Sequence, residues 1–229
     1  MVELAEQDAD IVAITAAMPD GTGLNKFAEC YPQRFLDVGI AEQHAVTAAA
    51  GMAAAGMKPV VAVYSTFLQR AYDSVLHDIC MQDLHVTMCL DRAGIVGDDG
   101  FTHHGVFDIG FLTPIPNIVY FAPKDAKELR TYVNTCFTNF NKPYFLRIPR
   151  GSIDDHPVDY HDTLKIGTWT IECREENYEL TIICYGENVM KVKNMIEENH
   201  LPIRLINARF IKPIDYSICL LYTSDAADD

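Results

Sequence analysis

The chain has 229 residues, of which 49% are hydrophobic, and this is enough apolar material for one large domain or for one complete domain and part of a second. Its 32 acidic and 18 basic residues give a formal net charge of −14, which argues against nucleic-acid binding and against binding to anionic membranes. The seven cysteines include no C-x-x-C pair, which predicts a reducing compartment, with the cytoplasm as the expected location. The sequence shows neither a signal peptide nor an uninterrupted apolar span, so we expect a soluble protein.

Short apolar runs alternate with helical patterns over the first 150 residues. Strands are predicted at 10–17, 34–38, 59–65, 85–91, 117–123 and 143–149, and helices near 23–30, 41–56, 67–82 and 125–139. Continuous apolar strands separated by helices are typical of a parallel sheet that is covered on both faces. The sequence therefore predicts one α/β domain over residues 1–150.

A second, smaller unit is predicted after a polar, turn-rich linker at residues 151–163. Strands are expected within 165–172, 180–186 and 202–210, with a helix over 187–199. This is too few strands for a sheet with two covered faces, so residues 164–217 are expected to form an incomplete carboxyl-terminal α/β domain. Residues 218–229 continue neither periodicity, and we expect them to be a non-native or disordered tail.

Residues that could carry chemistry follow four predicted strands. In an open α/β sheet, ligands collect beyond the carboxyl ends of the strands, so we expect these clusters to share one edge of the sheet. The clusters are Glu42 with Gln43 and His44; Tyr64, Phe67 and Arg70; Arg92, Asp99, His103 and His104; and Arg150.

Each cluster also has a purely structural interpretation. Glu42 lies among small apolar residues, where a carboxylate needs a bonded partner, but in the first turn of a helix it could simply complement the macrodipole. Tyr64 and Phe67 could be core residues, and Arg70 could form a surface ion pair with Asp73 at helical spacing. His103, His104 and Arg150 could be solvated surface residues.

The segment 91–105 is the most informative loop, because four glycines are interspersed with charged residues. This composition favours backbone freedom and close approach to a ligand over core packing. The sequence contains neither G-x-G-x-x-G nor a P-loop nor G-x-S-x-G, which excludes the corresponding nucleotide and nucleophile-elbow sites. The histidines lack a third ligand at a usable spacing, so no metal site is expected.

Five motifs together resemble one enzyme family. "DVGIAEQHAV", "YSTFLQRAYDSVLHD", "DRAGIVGDDGFTHHGVFDIGFL", "FAPKDAKEL" and "FLRIPRG" occur in this order, and the match extends from Ala5 to about Asp215. They resemble the transketolase superfamily of thiamine-diphosphate enzymes and, within it, the 1-deoxy-D-xylulose-5-phosphate synthases. The resemblance implies a pyrimidine-binding domain of transketolase type, followed by the start of the carboxyl-terminal domain. Phe101 departs from the family, in which smaller residues or proline are usual.

The resemblance implies a thiamine-diphosphate site with Glu42, Phe67 and Arg70 on this chain. Glu42 would hydrogen-bond a ring nitrogen of the aminopyrimidine and promote deprotonation of the thiazolium carbon. Phe67 would stack on the pyrimidine ring, and Arg70 would lie near the cofactor. Mg²⁺ and the diphosphate would be held by the family's amino-terminal domain, which has no counterpart in this sequence.

The resemblance also implies how substrates bind. Tyr64, Arg92 and Arg150 would hold the phosphate of the acceptor, while Asp99 and His103 would orient the acceptor aldehyde or relay protons. The implied reaction is the condensation of pyruvate with glyceraldehyde 3-phosphate, releasing carbon dioxide and giving 1-deoxy-D-xylulose 5-phosphate, in an enzyme expected to be a homodimer when complete. The fragment alone is expected to be inactive. A transketolase-like enzyme, a pyruvate dehydrogenase beta subunit and a non-catalytic fragment that binds partner domains are the alternatives.

Overall fold

A computed structural model describes residues 1–139, 141–151, 163–174 and 177–223. The predicted linker falls mostly on residues 152–162, and the last part of the predicted tail on residues 224–229, and both stretches lie outside the described residues. The strands are β1 (Ile11–Thr15), β2 (Phe35–Asp37), β3 (Lys58–Tyr64), β4 (Thr87–Asp91), β5 (Val119–Phe121), β6 (Tyr144–Arg147), β7 (Thr170–Cys173), β8 (Leu180–Cys184), β9 (Ile203–Asn207) and β10 (Phe210–Lys212).

The helices of the described residues vary from three to thirteen residues in length. The α-helices are α1 (Val2–Gln7), α2 (Asn25–Cys30), α3 (Glu42–Ala54), α4 (Ser65–Leu68), α5 (Tyr72–Ser74), α6 (Asp108–Leu112), α7 (Ala126–Thr138), α8 (Asn188–Asn199) and α9 (Tyr216–Thr223). Short 3₁₀ turns occur at Pro32–Arg34, Gln69–Ala71, Gly97–Asp99 and Phe101–His103, and a π-helix at Val75–Cys80.

The chain divides into two compact units. Unit 1 comprises residues 1–118 and 139–151, and unit 2 comprises residues 119–138 with the described part of 152–229. The observed units differ from the predicted domain 1–150 because β5 and α7 group with unit 2. The reason lies in aromatic packing, since Phe121 stacks on Tyr132 with ring centroids 4.2 Å apart and Phe210 packs against Phe121 at 4.9 Å.

Unit 1 contains five strands in the order β6-β4-β3-β1-β2, and every neighbouring pair is parallel. The predicted parallel α/β fold is thus confirmed. All five residues of β1 are buried, as are residues 59–64 of β3, because strands covered on both faces carry apolar side chains on both. The parallel arrangement places the carboxyl ends of β2, β3, β4 and β6 at one edge.

The segment after β3, predicted as a single helix over 67–82, is a series of shorter elements. It consists of α4, a 3₁₀ turn, α5 and the π-helix, although Leu68, Ala71, Val75 and Ile79 still form one fully buried stripe. The five-residue helix α6 is absent from the prediction because it is too short to show a helical period.

Unit 2 contains a three-stranded sheet in the order β7-β9-β8, with β8 parallel and β7 antiparallel to β9. Helix α8 packs on it through Val189 and Ile196 against Leu205. The single strand predicted over 202–210 is two strands, because β9 ends at Asn207 and β10 pairs separately with β5. Helix α9 includes residues 218–223 of the predicted tail, so the described part of that tail is helical; its non-native origin stays a prediction.

All seven cysteines are free thiols. Of the helices within the described residues, none combines the length and the apolar character that a bilayer span requires.

Candidate active site

All the predicted site residues lie at or after carboxyl ends of strands in unit 1, and each contacts at least one of the others. The set comprises Glu42, Tyr64, Phe67, Arg70, Arg92, Asp99, His103 and Arg150. The four clusters that the sequence separated therefore form one network.

Glu42 is the first residue of α3 and is only 2% exposed. Its Oε1 accepts a hydrogen bond from Arg70 Nη1 at 3.0 Å, whereas its Oε2 is buried without a hydrogen-bond partner among the described residues. A buried acceptor left unsatisfied costs about 1–3 kcal/mol. Macrodipole compensation accounts for a carboxylate at this helix position but not for burying one oxygen without a donor. Glu42 Oε2 therefore remains free to accept a hydrogen bond from a further donor.

A cluster of aromatic rings is linked to this carboxylate through Arg70. Phe67 stacks on Tyr64 with ring centroids 6.1 Å apart, and His103 approaches the edge of Phe67 at 5.4 Å and Tyr64 at 6.3 Å. The Arg70 guanidinium lies 5.0 Å from the centroid of Phe67, which joins the aromatic group to Glu42. Phe67 is half-buried and Tyr64 buried, so the cluster combines core packing with an accessible aromatic ring.

Two arginines converge on one carboxylate oxygen. Asp99 Oδ2 lies 2.8 Å from Arg92 Nη1 and 3.1 Å from Arg150 Nε. Neither contact is a hydrogen bond, so both are ion pairs. Arg92 also lies over the Tyr64 ring at 4.0 Å. Two guanidiniums that share one carboxylate oxygen are spaced to bind a common anion such as a phosphate.

Asp91, at the end of β4, belongs to a recognised motif but is not among the predicted site residues. Its Oδ1 accepts the backbone N–H of Arg92 at 2.6 Å and supports the left-handed backbone of Arg92, whose φ is 55°. Burial raises the pKa of Asp91 despite this bond and the adjacent guanidinium. Burial also raises the pKa of Tyr64, against the opposing effect of Arg92, so its phenol stays protonated at neutral pH.

The base of the loop 91–105 contains a further group that the sequence pattern did not reveal. Gly94 and Gly105 exchange two backbone hydrogen bonds of 2.6 and 2.8 Å. Arg147 donates to the Gly105 carbonyl at 3.2 Å and forms an ion pair with Asp108 at 2.8 Å. The available signal was an arginine inside the otherwise apolar strand of "FLRIPRG" and an aspartate within "GVFDIGFL".

Gly21, in the loop between β1 and α2, is a further residue that supports the site and that the sequence pattern did not reveal. A Cβ atom at this position would lie 1.7 Å from the Tyr64 hydroxyl oxygen. Tyr64 is further held by its backbone N–H, which donates to Met18 Sδ at 3.4 Å. Any larger residue here would therefore have to displace the tyrosine ring.

The alternative interpretation, a surface ion pair between Arg70 and Asp73, is not observed. Arg70 is paired with Glu42 at 3.0 Å, and Asp73 is paired with His77 at 2.9 Å.

The remaining polar residues of the clusters lie apart from this network. Gln43 and His44 are exposed on α3, while His104 Nδ1 accepts the backbone N–H of Val96 at 3.1 Å within the loop. Within the described residues, there is no group of three or more histidine, cysteine or carboxylate side chains that could hold a metal ion.

Comparison with known proteins defines the class. A profile of the family described as "Transketolase, pyrimidine binding domain" matches residues 1–155. The chain belongs to this family, and the predicted resemblance is confirmed.

Curated relatives define the particular kind of enzyme that the chain resembles. A relative from Clostridium perfringens (strain SM101 / Type A) is 53% identical over 219 residues, covering 94% of this chain and 35% of the relative. One from Aquifex aeolicus (strain VF5) is 50% identical over 218 residues, covering 94% of this chain and 34% of the relative. Both are named 1-deoxy-D-xylulose-5-phosphate synthase. The chain thus spans about a third of the length of these relatives.

Solved structures agree on the fold. A structure described as "Split gene transketolase, inactive beta4 tetramer" superposes with a TM-score of 0.79 at 25% identity, covering 97% of this chain and 73% of that one. Transketolase from Leishmania mexicana superposes with a TM-score of 0.75 at 18% identity, covering 90% of this chain and 32% of that one, and supports the fold alone.

The residues present fit the aminopyrimidine part of thiamine diphosphate. A ring nitrogen that carries or shares a proton would satisfy the buried Glu42 Oε2, and the half-buried Phe67 offers a flat apolar ring for a heterocycle to stack on.

Proposed function

We propose that this chain supplies the aminopyrimidine-binding part of a thiamine-diphosphate site that condenses pyruvate with glyceraldehyde 3-phosphate. The reaction releases carbon dioxide and gives 1-deoxy-D-xylulose 5-phosphate, a precursor of isoprenoids, thiamine and pyridoxal. The observation that carries the proposal is the buried Glu42 Oε2 without a hydrogen-bond partner in the described residues, in a carboxylate that Arg70 links to Phe67. The names of the curated relatives support the particular substrates.

Glu42 acts in this proposal by holding a proton on the cofactor heterocycle. Arg70 occupies Oε1, so Oε2 is the oxygen left for the ring nitrogen. Phe67 supplies stacking contact without competing for the polar edge of the heterocycle. Thiamine diphosphate, when bound, supplies the nucleophilic carbon and the electron sink for decarboxylation.

The acceptor phosphate binds to Arg92 and Arg150, with Tyr64 beside them. Both guanidiniums already converge on one carboxylate oxygen of Asp99, so their spacing suits a shared anion. His103, whose ring contacts Phe67 and Tyr64, lies between the cofactor residues and these arginines. It is suited to transfer a proton to or from the acceptor carbonyl, with Asp99 orienting the aldehyde.

The rest of the enzyme lies in segments that the relatives have beyond this chain. We propose that those segments hold the diphosphate and Mg²⁺, that the complete enzyme is a homodimer, and that this chain alone is inactive. The split-gene transketolase structure is described as an inactive tetramer, which is in keeping with inactivity of a separate chain. Seven free thiols support a reducing compartment, and we propose the cytoplasm.

Two experiments test the proposal. In the first, residues 1–215 replace the matching segment of the Clostridium perfringens relative, to which the chain is 53% identical. The chimera is expected to release carbon dioxide from pyruvate only when glyceraldehyde 3-phosphate is consumed. Ketol transfer between sugar phosphates without pyruvate consumption would instead support the transketolase-like alternative, and acetyl transfer to a lipoyl carrier would support the pyruvate dehydrogenase alternative.

The second experiment measures the melting temperature of the 229-residue chain with and without thiamine diphosphate. Because a ligand that binds the native state stabilises it, a small upward shift is expected, and Glu42→Leu should abolish it. The absence of any shift in the unmodified chain at millimolar cofactor would support the non-catalytic alternative.

A further inference from the structure

The geometry points to Arg147 as a positioning residue that, with Asp108, clamps the loop carrying Asp99 and His103 through the carbonyl of Gly105. The functional consequence rests on the proposed function, in which Asp99 and His103 face the acceptor. The clamp itself is a property of this chain.

Arg147 and Asp108 form a buried ion pair at the base of the loop 91–105. Arg147 Nε donates to Asp108 Oδ2 at 2.8 Å, and the exposed fractions of the two side chains are 12% and 0%. Arg147 Nη2 donates in addition to the Gly105 carbonyl at 3.2 Å. The planar guanidinium fork therefore joins the last residue of β6 to the first residue of α6 and to the backbone where the loop returns.

The loop is closed at the level of this pair. Gly94 and Gly105 exchange hydrogen bonds of 2.6 and 2.8 Å, so the Gly105 carbonyl accepts both Gly94 N–H and the arginine. A Cβ on Gly105 would lie 2.6 Å from the Arg92 carbonyl oxygen and 2.7 Å from Ser65 Oγ, and Gly94 has a φ of 89°. Both glycines are thus required for a tight closure.

The tip of the loop is anchored by the buried Val96 and by the side-chain contacts of Asp99 and His103, while its most exposed apolar residues add little. Ile95 and Phe101, its large apolar residues, are 82% and 87% exposed, so they bury almost no surface. Most of the hydrogen bonds beyond the closure are short-range turns, such as His103 N–H to the Gly100 carbonyl. The positions of Asp99 and His103 therefore depend on their own side-chain contacts and on the closure that the buried pair fixes.

The two arginines of "FLRIPRG" have different tasks in this arrangement. Arg150 contacts Asp99 within the loop, while Arg147 contacts Gly105 and Asp108 at the base of the loop. Removing one partner of a buried, hydrogen-bonded pair leaves the other charge uncompensated, so the closure is expected to open locally when Arg147 is replaced.

Amide hydrogen exchange of the 229-residue chain tests the clamp without cofactor or substrate, so its outcome is independent of the proposed function. Arg147→Gln is expected to accelerate exchange at Gly94 and Gly105 by about tenfold or more beyond any acceleration at the amides of β3, because a hydrogen bond to a charged group stabilises by about 1.5–3 kcal/mol. The ring proton signals of His103 are expected to move toward their positions in an unfolded peptide as the contacts with Phe67 and Tyr64 are lost.

Arg34→Gln is the matched control, because Arg34 also donates to backbone carbonyls, those of Ala5 and Asp8, each at 2.9 Å. It should leave the His103 signals and the exchange at Gly94 and Gly105 unchanged. Arg147→Lys keeps the charge but not the fork, and should give an intermediate acceleration.

Three results would overturn the clamp. The first is equal acceleration at the loop closure and at β3, which would indicate a general stabilising role. The second is an unchanged His103 signal in a folded Arg147→Gln variant. If neither Arg147 variant folds, the unmodified chain decides: exchange at Gly105 as fast as at the exposed Gly97 would contradict a closed loop base.

Discussion

Gly21→Ala tests the arrangement of the site around Tyr64. The new methyl group would lie 1.7 Å from the tyrosine hydroxyl oxygen and 2.6 Å from Cζ, whereas ordinary contact begins near 3.4 Å. The Tyr64 ring cannot move away without cost, because Arg92 lies over it at 4.0 Å and Phe67 stacks on it with centroids 6.1 Å apart. Overpacking of this kind destabilises by about 1–3 kcal/mol.

Gly51→Ala provides the matched control. Gly51 lies within α3, and a Cβ there would meet nothing within 4 Å. Because glycine inside a helix is unfavourable relative to alanine, this substitution should stabilise the chain by about 0.5–1 kcal/mol. The two glycine-to-alanine changes are thus expected to have opposite signs.

Urea denaturation of the 229-residue chain measures both changes. A double variant sharpens the assay, because Gly21→Ala should be nearly neutral once Tyr64 is replaced by alanine. If Gly21→Ala is as stable as Gly51→Ala, or if its cost persists without the tyrosine ring, the packing of Tyr64 against the β1–α2 loop is refuted.

Three further predictions concern charge. Burial lowers the pKa of His85 from 6.5 to about 4, so the stability that the neutral imidazole contributes is fully present above pH 6.5 and is lost as the pH falls toward 4. The expected loss in the free energy of unfolding is about 3 kcal/mol. A His85→Leu variant whose denaturation midpoint falls equally over this pH range would contradict this prediction. Asp99→Asn removes the shared counter-ion of Arg92 and Arg150, so the affinity for inorganic phosphate, measured by calorimetry, should rise by about tenfold. An unchanged affinity would mean that these arginines do not form an anion site. In the chimera, Glu42→Gln should lower kcat by about 10²–10⁴ while leaving cofactor affinity nearly unchanged, and undiminished turnover would exclude its role in proton transfer.

The fold of unit 1 was predictable because fully buried parallel strands show continuous apolar runs. The stretch 10–17 predicts β1, and each of its five observed residues is buried. By contrast, β5 and α7 group with unit 2 through the packing of Phe121, Tyr132 and Phe210, and contacts between residues so distant in sequence leave no local pattern. Helix α6 is too short for its period to be recognised.

The candidate site was predictable as a set of residue types at strand ends, and the motifs grouped them. The residues that support these side chains could not be predicted from the sequence, because Gly21 and Gly105 act through the space that they leave for Tyr64 and Ser65. Likewise, nothing local distinguishes Arg147 from Arg150, although one is held by Asp108 and the other by Asp99. The choice of partner is made by tertiary structure alone.

The central claim is that a buried acid on α3 binds the heterocycle of the cofactor. A crystal structure of the chain, or of the chimera, with thiamine diphosphate tests this most directly. We expect Glu42 Oε2 to lie within about 2.6–3.2 Å of a ring nitrogen of the aminopyrimidine, with Phe67 against the ring. A heterocycle bound elsewhere, or a Glu42 carboxylate that contacts only Arg70 in the loaded site, would contradict it.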